Sequence, residues 1–268
     1  MPHDPPARTF ERPRLVAVGM FLAVFLALLI SRWRLLDSPP TPDQARTFWL
    51  QAAYLADTGF DYRRLLHEEQ AYARGGALTY NVTCTSPTVL ALIMRATPTP
   101  RAAIIAYRLV NLACAAFLAT LLWLTLRPWT GALGAALAAA ALVTTPLVNV
   151  QIDLLGIDVA TTAVALWATR ALWRDQFVAA ALWLTLASAI KTSATIVAIA
   201  AVLYIACLLV CGGWREATRA RRLIVGLVVL AAAVGFQLLW FKIGGYDHDR
   251  VRPVAVGDDP VAGTVAVP

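Results

Sequence analysis

The sequence predicts an all-α membrane protein, a polytopic transmembrane bundle of about seven spans with interfacial helices in its first outer loop. The chain of 268 residues is 59% hydrophobic and has a mean hydropathy of +0.65. Soluble domains of this length are rarely so apolar. The apolar residues also collect in long runs, several of which approach the roughly 20 residues that cross a bilayer.

Seven apolar runs are candidate spans, and the fifth is short enough to be a half-span. The runs are Leu15–Ile30, Ala102–Leu126, Gly131–Val150, Ile157–Trp173, Phe177–Ala189, Ser193–Cys211 and Leu223–Phe241. They divide the chain into a cytoplasmic tail (1–14), a membrane domain (15–243) with an outer loop (31–98), and a loose outer C-terminal tail (244–268). The first run has the basic flank of a signal peptide, but no small-residue cleavage site follows it, so we expect a retained anchor.

The arginines predict the orientation of these spans in a cell (inner) membrane. The net charge is +7. Arginines precede the first run and then fall at alternate turns, which is the positive-inside pattern. They are Arg8, Arg12, Arg14, Arg127, Arg170, Arg174, Arg215, Arg219, Arg221 and Arg222. We therefore expect the N-terminus in the cytoplasm and the long first loop and the C-terminus outside. This placement indicates a membrane partner and no nucleic acid.

The first outer loop contains two short apolar segments. Thr41, Pro42 and Gln44 match the N-cap, first and third positions of a helix with a capping box. Apolar residues continue at helical spacing to Leu55, and the helix is too short to span. It is therefore predicted to lie in the interface plane. The run Thr88–Met94 is also too short and is predicted to be re-entrant or interfacial.

Five short features occur in an order that one enzyme family shares. An acid follows the first span, a Ser-Pro pair opens the short apolar run, an Arg-Leu pair begins the second long span, a Pro and then an Asp precede a later span, and a Lys stands at a helix junction. The residues are Asp43, Ser86-Pro87, Arg108-Leu109, Pro146 with Asp158, and Lys191-Thr192. Together they resemble the N-terminal part of the GT-C membrane glycosyltransferases, in the bacterial branch of protein O-mannosyltransferases, aminoarabinose transferases and lipopolysaccharide galacturonosyltransferases.

The resemblance implies an enzyme of the cell envelope that moves a sugar from a polyprenyl-phosphate donor to a lipid, glycan or protein acceptor on the outer face. It implies catalytic roles for Asp43 and Asp158, which would also be the ligands of a divalent metal ion. The expected substrate-binding residues are Arg108, Lys191, Asp153 and Gln44, with the two cations holding phosphate.

The chain departs from the family in two ways. The family usually has Asp-Glu where this chain has Asp43-Gln44. The chain also has fewer spans than the family and no soluble outer domain, which predicts a truncated product, a minimal member or a non-catalytic relative. A second class of function therefore stays open: a non-catalytic membrane subunit, a lipid-carrier component or a truncated pseudoenzyme.

Each candidate residue also has a purely structural explanation. Asp43 and Asp158 stand at predicted helix starts, where an acid complements the helix dipole. Gln44 is explained by the capping box. Asp153 is explained as a residue of a solvated turn. Arg108 is explained by an acid partner or by snorkelling to the interface, and Lys191 by an interfacial position.

The span count places four of the charged candidates on one side of the membrane. They are Asp43, Asp153, Asp158 and Lys191. An isolated charge near hydrocarbon costs a few kcal/mol. We therefore expect these groups to converge on each other or on a shared polar cavity that opens to the outer leaflet.

Overall fold

The computed structural model describes residues 13–41, 48–61, 85–153, 158–211 and 217–243. In this part of the chain all regular structure is helical. The helices are α1 (Pro13–Arg32), α2 (Leu50–Asp57), α3 (Thr85–Ala96), α4 (Pro100–Thr144), α5 (Pro146–Asp153), α6 (Asp158–Trp173), α7 (Phe177–Ile190), α8 (Thr195–Val210) and α9 (Ala217–Ile243). Single 3-10 turns follow α1 (Trp33–Leu35) and precede α8 (Thr192–Ala194). The predicted C-terminal tail and nearly all of the N-terminal one lie outside the described residues.

Helix α4 is a hairpin of two arms. Its backbone leaves helical geometry at Gly131, where φ is +73°, a conformation that glycine adopts without steric cost. The indole Nε1 of Trp123 donates to the carbonyl of Ala132 at 3.2 Å, although nine positions would separate them by roughly 13.5 Å along a straight helix. The arms, residues 100–130 and 132–144, therefore fold back on each other. The turn lies where the sequence predicts one, between the second and third apolar runs.

Two helices of the described part are long and apolar enough to cross a membrane. They are Leu15–Leu35 and Pro100–Thr144, and α5 with α6 adds a third if this pair, bent by 117°, is one broken span. Helices α7 and α8 are apolar but have 14 and 16 residues, or about 21–24 Å each. The fold is thus all-helical with two to three long apolar helices, and it indicates a membrane-associated protein. Seven complete spans stay a prediction.

The third apolar run differs from its predicted form. The sequence places one span over Gly131–Val150 and an outer turn from Pro146 to Asp158. The second arm of α4 instead ends at Thr144, and Pro146 begins the separate helix α5. Proline has no N–H to continue a helix and suits the first position of a new one.

Helix α7 is the centre of the membrane domain, because it packs against α6, α8 and α9. Helix α4 packs against both α1 and α6. The Trp167 ring contacts Phe117 at 5.0 Å and Trp183 at 5.3 Å between ring centroids, which joins α4, α6 and α7. In α9, a Cβ at Gly226 would lie 3.0 Å from the Cβ and carbonyl oxygen of Phe177. The small residue therefore allows α9 to approach the start of α7.

The apolar stripe of α2 packs on protein. Ala52 and Leu55 are fully buried in one cluster with Leu90 and Ala91 of α3 and with Tyr107 of α4. The short run predicted to be re-entrant or interfacial is therefore part of α3, packed beside the start of α4. Residues 42–47, which include the predicted capping box, lie outside the described residues.

The antiparallel helices give the bundle two ends. The end that we name the paired end contains the end of α1, the start of α4, helix α5, the start of α6 and the end of α7; its contacts are Arg32 to Asp153 and Lys191 to Asp158. The opposite end, the arginine end, contains the turn of α4, the end of α6 and the starts of α7 and α9. There Trp129 meets Trp173, and Asp175 meets Arg219.

Candidate functional site

An ion pair between Lys191 and Asp158 joins α6 and α7 at the paired end. Helix α6 begins at Asp158, and Lys191 follows the end of α7 in extended conformation. The Lys191 ammonium donates to Oδ1 of Asp158. The two side chains are 39% and 37% exposed. The pair therefore lies at a boundary where water, or a headgroup, reaches it.

Local backbone geometry positions both charges. The N–H of Lys191 bonds to the carbonyl of Ala187 at 2.9 Å, and its own carbonyl accepts from Ala194 at 3.0 Å across the 3-10 turn. Lys191 thus stands at the negative end of the α7 dipole and Asp158 at the positive end of the α6 dipole. The helix-end explanation and the site explanation both fit this geometry.

Two buried hydroxyls lie one helical turn deeper than the ion pair. Thr161 is three residues after Asp158 on the same face of α6, and Ser188 lies in the last turn of α7, three residues before Lys191. Thr161 is 7% exposed and Ser188 is 3% exposed. Among the described residues the Ser188 Oγ has no hydrogen-bond partner, although buried polar groups are nearly always bonded.

Asp153 is held by an arginine that the sequence analysis does not single out. Arg32, the last residue of α1, donates through Nη1 to Oδ2 of Asp153 and to the carbonyl of Asn149 at 3.1 Å. Its Nη2 donates to Oδ1 of Asn149. This network ties α1 to α5. Asp153 thus pairs with Arg32, whereas Asp158 pairs with Lys191.

The Arg108 side chain is buried and binds backbone carbonyls. Neither of the two structural explanations given above, an acid partner or snorkelling to the interface, describes this arrangement. Its side chain is 4% exposed, so it does not snorkel. Its Nη1 donates to the carbonyls of Leu35 at 2.6 Å, Leu36 at 3.0 Å and Ser38 at 2.6 Å. Its Nε has no partner among the described residues. Arg108 therefore fixes the turn that follows α1 against the start of α4.

These two arginine networks border one small cavity. The cavity measures about 10 Å³ and is lined by Arg32, Leu35, Leu36, Arg108, Leu112, Ile152 and Asp153. That volume holds about one water molecule and no phosphate or sugar. The structure thus brings Arg108 and Asp153 to one small cavity, and Lys191 and Asp158 to one accessible pair. Asp43 and Gln44 lie outside the described residues.

Three residues of the paired end were missed from sequence. Arg32 is the partner of both Asp153 and Asn149, and Ser188 is a buried residue in the last turn of α7. A usable signal was present for Asn149, because it is the one amide in the third apolar run and polar residues in apolar runs usually have a partner. Ser188 carries no such signal, since a serine fits a close helix contact equally well.

The expected divalent metal stays a prediction. Across the described ranges, no group of three or more His, Cys, Asp or Glu residues forms a ligand set, and Asp43, one of the two expected ligands, lies outside those ranges. Asp158 is paired with the Lys191 ammonium, which a metal ion would have to displace. We assign no chemical step to a metal.

The comparisons with known proteins found no relative of this chain. No family model, curated protein or solved structure matches the chain.

Proposed function

We propose that the chain is a membrane glycosyltransferase that moves a sugar from a polyprenyl-phosphate donor to an acceptor on the outer face of the inner membrane. In this proposal it has about seven spans, a cytoplasmic N-terminus and an outer C-terminus. The observation that carries the proposal is the ion pair of Lys191 and Asp158. It is partly exposed and stands at helix ends, and the unpartnered Ser188 hydroxyl lies in the last turn of α7, three residues before Lys191.

The donor presents three chemical groups that such a site would match. Its lipid tail lies among apolar helices, its phosphate needs a cation at headgroup depth, and its sugar needs polar groups. Lys191 offers three N–H donors on a flexible stem. In the proposal the ammonium turns from Asp158 towards the phosphate and stabilises its charge as it leaves.

The reaction balances with the carboxylates as proton acceptors. An acceptor hydroxyl attacks C1 of the sugar, and the bond from C1 to the phosphate oxygen breaks. The electron pair of that bond leaves with the polyprenyl phosphate, while the acceptor proton passes to a carboxylate. We assign this role to Asp43 on the sequence resemblance, with Asp158 orienting the acceptor. Gln44 remains a proposed substrate contact.

Arg108 and Asp153 take positioning roles in this proposal. Arg108 uses three backbone carbonyls, and Asp153 uses Arg32. The cavity between them is too small for substrate. Their bonds fix the ends of α1 and α5 beside the start of α6, and the buried guanidinium adds positive potential near the phosphate.

The test is turnover by the purified full chain in nanodiscs. The donors are polyprenyl-phosphate-linked mannose, aminoarabinose and galacturonic acid, each with labelled sugar. The readout is label that leaves the lipid phase for water or for added lipid A or peptide. Lys191→Met and Asp158→Asn should each lower turnover about 100-fold or more, as loss of one transition-state donor does.

Asp175→Asn is the matched control. Asp175 is also a partly exposed acid that pairs with an arginine, but it lies at the arginine end. Its turnover should equal that of the unaltered chain. Equal turnover in the Lys191 and Asp158 variants would contradict the assigned site.

The second candidate is a non-catalytic membrane subunit, a lipid-carrier component or a truncated pseudoenzyme of the same family. It is favoured because Lys191 and Asp158 neutralise each other. Each also has the charge that stabilises its own helix end, so neither needs a ligand to explain its position. Binding of polyprenyl phosphate without turnover of any of the three donors, lost in Lys191→Met, would support this candidate over the enzyme.

A further inference from the structure

A groove between α4 and α6 at the arginine end carries unbalanced positive charge. We define the arginine groove by Thr125 and Trp129 from α4, by Arg170 and Trp173 from α6, and by Arg174 in the turn after α6. Residues three or four positions apart share a helix face, so Thr125 and Trp129 lie on one side of the groove, and Arg170 and Trp173 lie on the other. The two sets meet, because Arg170 contacts Thr125 and Trp129 contacts Trp173.

Arg170 has a neutral partner only, within the described part of the chain. It is half-buried, and its Nη1 donates to the Thr125 hydroxyl at 3.2 Å. Arg174 follows in the turn after α6 and carries the same charge. A cation that is partly removed from water needs an opposite charge nearby. The groove therefore has the charge of an anion-binding site.

The nearest acid along the chain is used elsewhere. Asp175 directly follows Arg174, but its carboxylate pairs with Arg219 of α9, at 3.1 Å. Among the described residues, Arg219 thus has an acidic partner, whereas Arg170 and Arg174 have none. Arg222 at the same end also has only a neutral partner among them, the Thr218 carbonyl at 3.4 Å, but it is exposed. The half-buried Arg170 is therefore the arginine for which an anionic ligand would compensate most.

Two exposed tryptophans lie beside these arginines. The Trp129 and Trp173 rings meet edge to face with centroids 5.7 Å apart. They are 67% and 57% exposed. Indole rings are enriched at headgroup depth because one part is apolar and the N–H is polar. Both rings stand at the ends of apolar helices, which places the groove where a lipid phosphate lies.

We propose that the arginine groove binds the phosphate of an anionic phospholipid. The guanidinium groups of Arg170 and Arg174 would hold the phosphate oxygens, for which arginine has a matching fork of donors, and the indoles would contact the glycerol region. A free phosphate ion shares the oxygen chemistry but gains nothing from the indoles or the apolar helices. The site lies at the end opposite to Lys191 and Asp158, so it does not depend on the proposed activity.

The test is lipid retention by the purified full chain. The protein is exchanged into detergent with equal amounts of phosphatidylglycerol and phosphatidylcholine, and bound lipid is counted by native mass spectrometry. The unaltered chain should retain phosphatidylglycerol preferentially. Arg170→Gln and Arg174→Gln should each lower its retention about fivefold, the effect of one arginine near an anionic surface.

Arg222→Gln is the matched control, since Arg222 is an exposed arginine of the same end that lies outside the groove. It should retain phosphatidylglycerol like the unaltered chain. Arg174 is also exposed, so Arg174→Gln should fold normally even if Arg170→Gln does not. Equal retention in Arg174→Gln, or an equal loss in Arg222→Gln, would overturn the site. Displacement of the lipid by inorganic phosphate at equal concentration would overturn its assignment to a lipid.

Discussion

The paired end and the arginine end of the bundle treat charge in opposite ways. At the paired end three described acids each pair with a base: Asp158 with Lys191, Asp153 with Arg32, and Asp37 with Arg101. At the arginine end the described arginines outnumber the acids, and Asp175 pairs with Arg219. The first end pairs these acids within the protein, whereas the second leaves an excess of positive charge for its surroundings.

This difference teaches what each end is suited to bind. A ligand at the paired end must replace one member of a salt bridge. Binding there therefore requires that the ligand carry a charge that can take that member's place. A ligand at the arginine end meets arginines that have no acidic partner among the described residues, so the proposed lipid headgroup would bind there without breaking an ion pair. The same contrast gives the predicted orientation, because arginine excess favours the cytoplasmic side.

The largest expected effect on stability is that of Arg108→Met. The substitution leaves the carbonyls of Leu35, Leu36 and Ser38 without their donor, and a hydrogen bond to a charged group contributes about 1.5–3 kcal/mol. Because bonds that share a donor do not add fully, we expect a loss of about 3 kcal/mol in the free energy of unfolding. Thermal unfolding in detergent measures it.

Arg101→Met is the control for this change, since Arg101 is a cation of the same helix that is 74% exposed. Its melting temperature should stay within a few degrees of that of the unaltered chain. Equal losses in the two variants would show that the hydrogen bonds of Arg108 to the turn after α1 do not stabilise the paired end.

The arginine end should be sensitive to bulk at Gly226. In Gly226→Ala the new Cβ meets the backbone and Cβ of Phe177 at 3.0 Å, and overpacking of this kind costs about 1–3 kcal/mol. Gly235→Ala is its control in the same helix, because nothing lies within 4 Å of a Cβ there. We expect that control to be neutral or slightly stabilising. A stable Gly226→Ala variant would mean that α9 and α7 pack less closely.

The smallest effect is expected for the pair of Arg101 and Asp37. The side chains are 74% and 40% exposed, and such pairs contribute little to stability. A double-mutant cycle with Arg101→Met and Asp37→Asn should give a small coupling energy that falls further in high salt. A large coupling energy that does not depend on salt would show that the paired end shields its charges from water.

Most helix positions could be predicted from sequence, because apolar runs and helix-ending residues are local signals. The predicted run Ile157–Trp173 and the helix Asp158–Trp173 differ by one residue. The turn of α4 comes at Gly131, within one residue of the loop expected between the second and third apolar runs. An outer turn was expected from Pro146 on, but the separate helix α5 was not, because the apolar run continues across Pro146 and only the missing N–H of proline separates the two helices.

The candidate site could be predicted only in part, for a related reason. Charged residues at helix ends stand out in an apolar sequence, which is how Asp158 and Lys191 were found. Arg108 also stood out, but its partners are carbonyls about 70 residues earlier in the chain. Backbone oxygens are present at every residue, so no sequence pattern identifies which of them an arginine will bind.

The central claim is that the paired end faces outside and the arginine end faces the cytoplasm. It is tested most directly by cysteine labelling in intact cells, in a chain whose four native cysteines are replaced by alanine. Ser38→Cys reports the paired end, and Gln176→Cys, in the exposed turn before α7, reports the arginine end. An impermeant maleimide should label Ser38→Cys from outside and Gln176→Cys only after the membrane is opened. Labelling of Gln176→Cys in intact cells, with Ser38→Cys protected, would contradict the account.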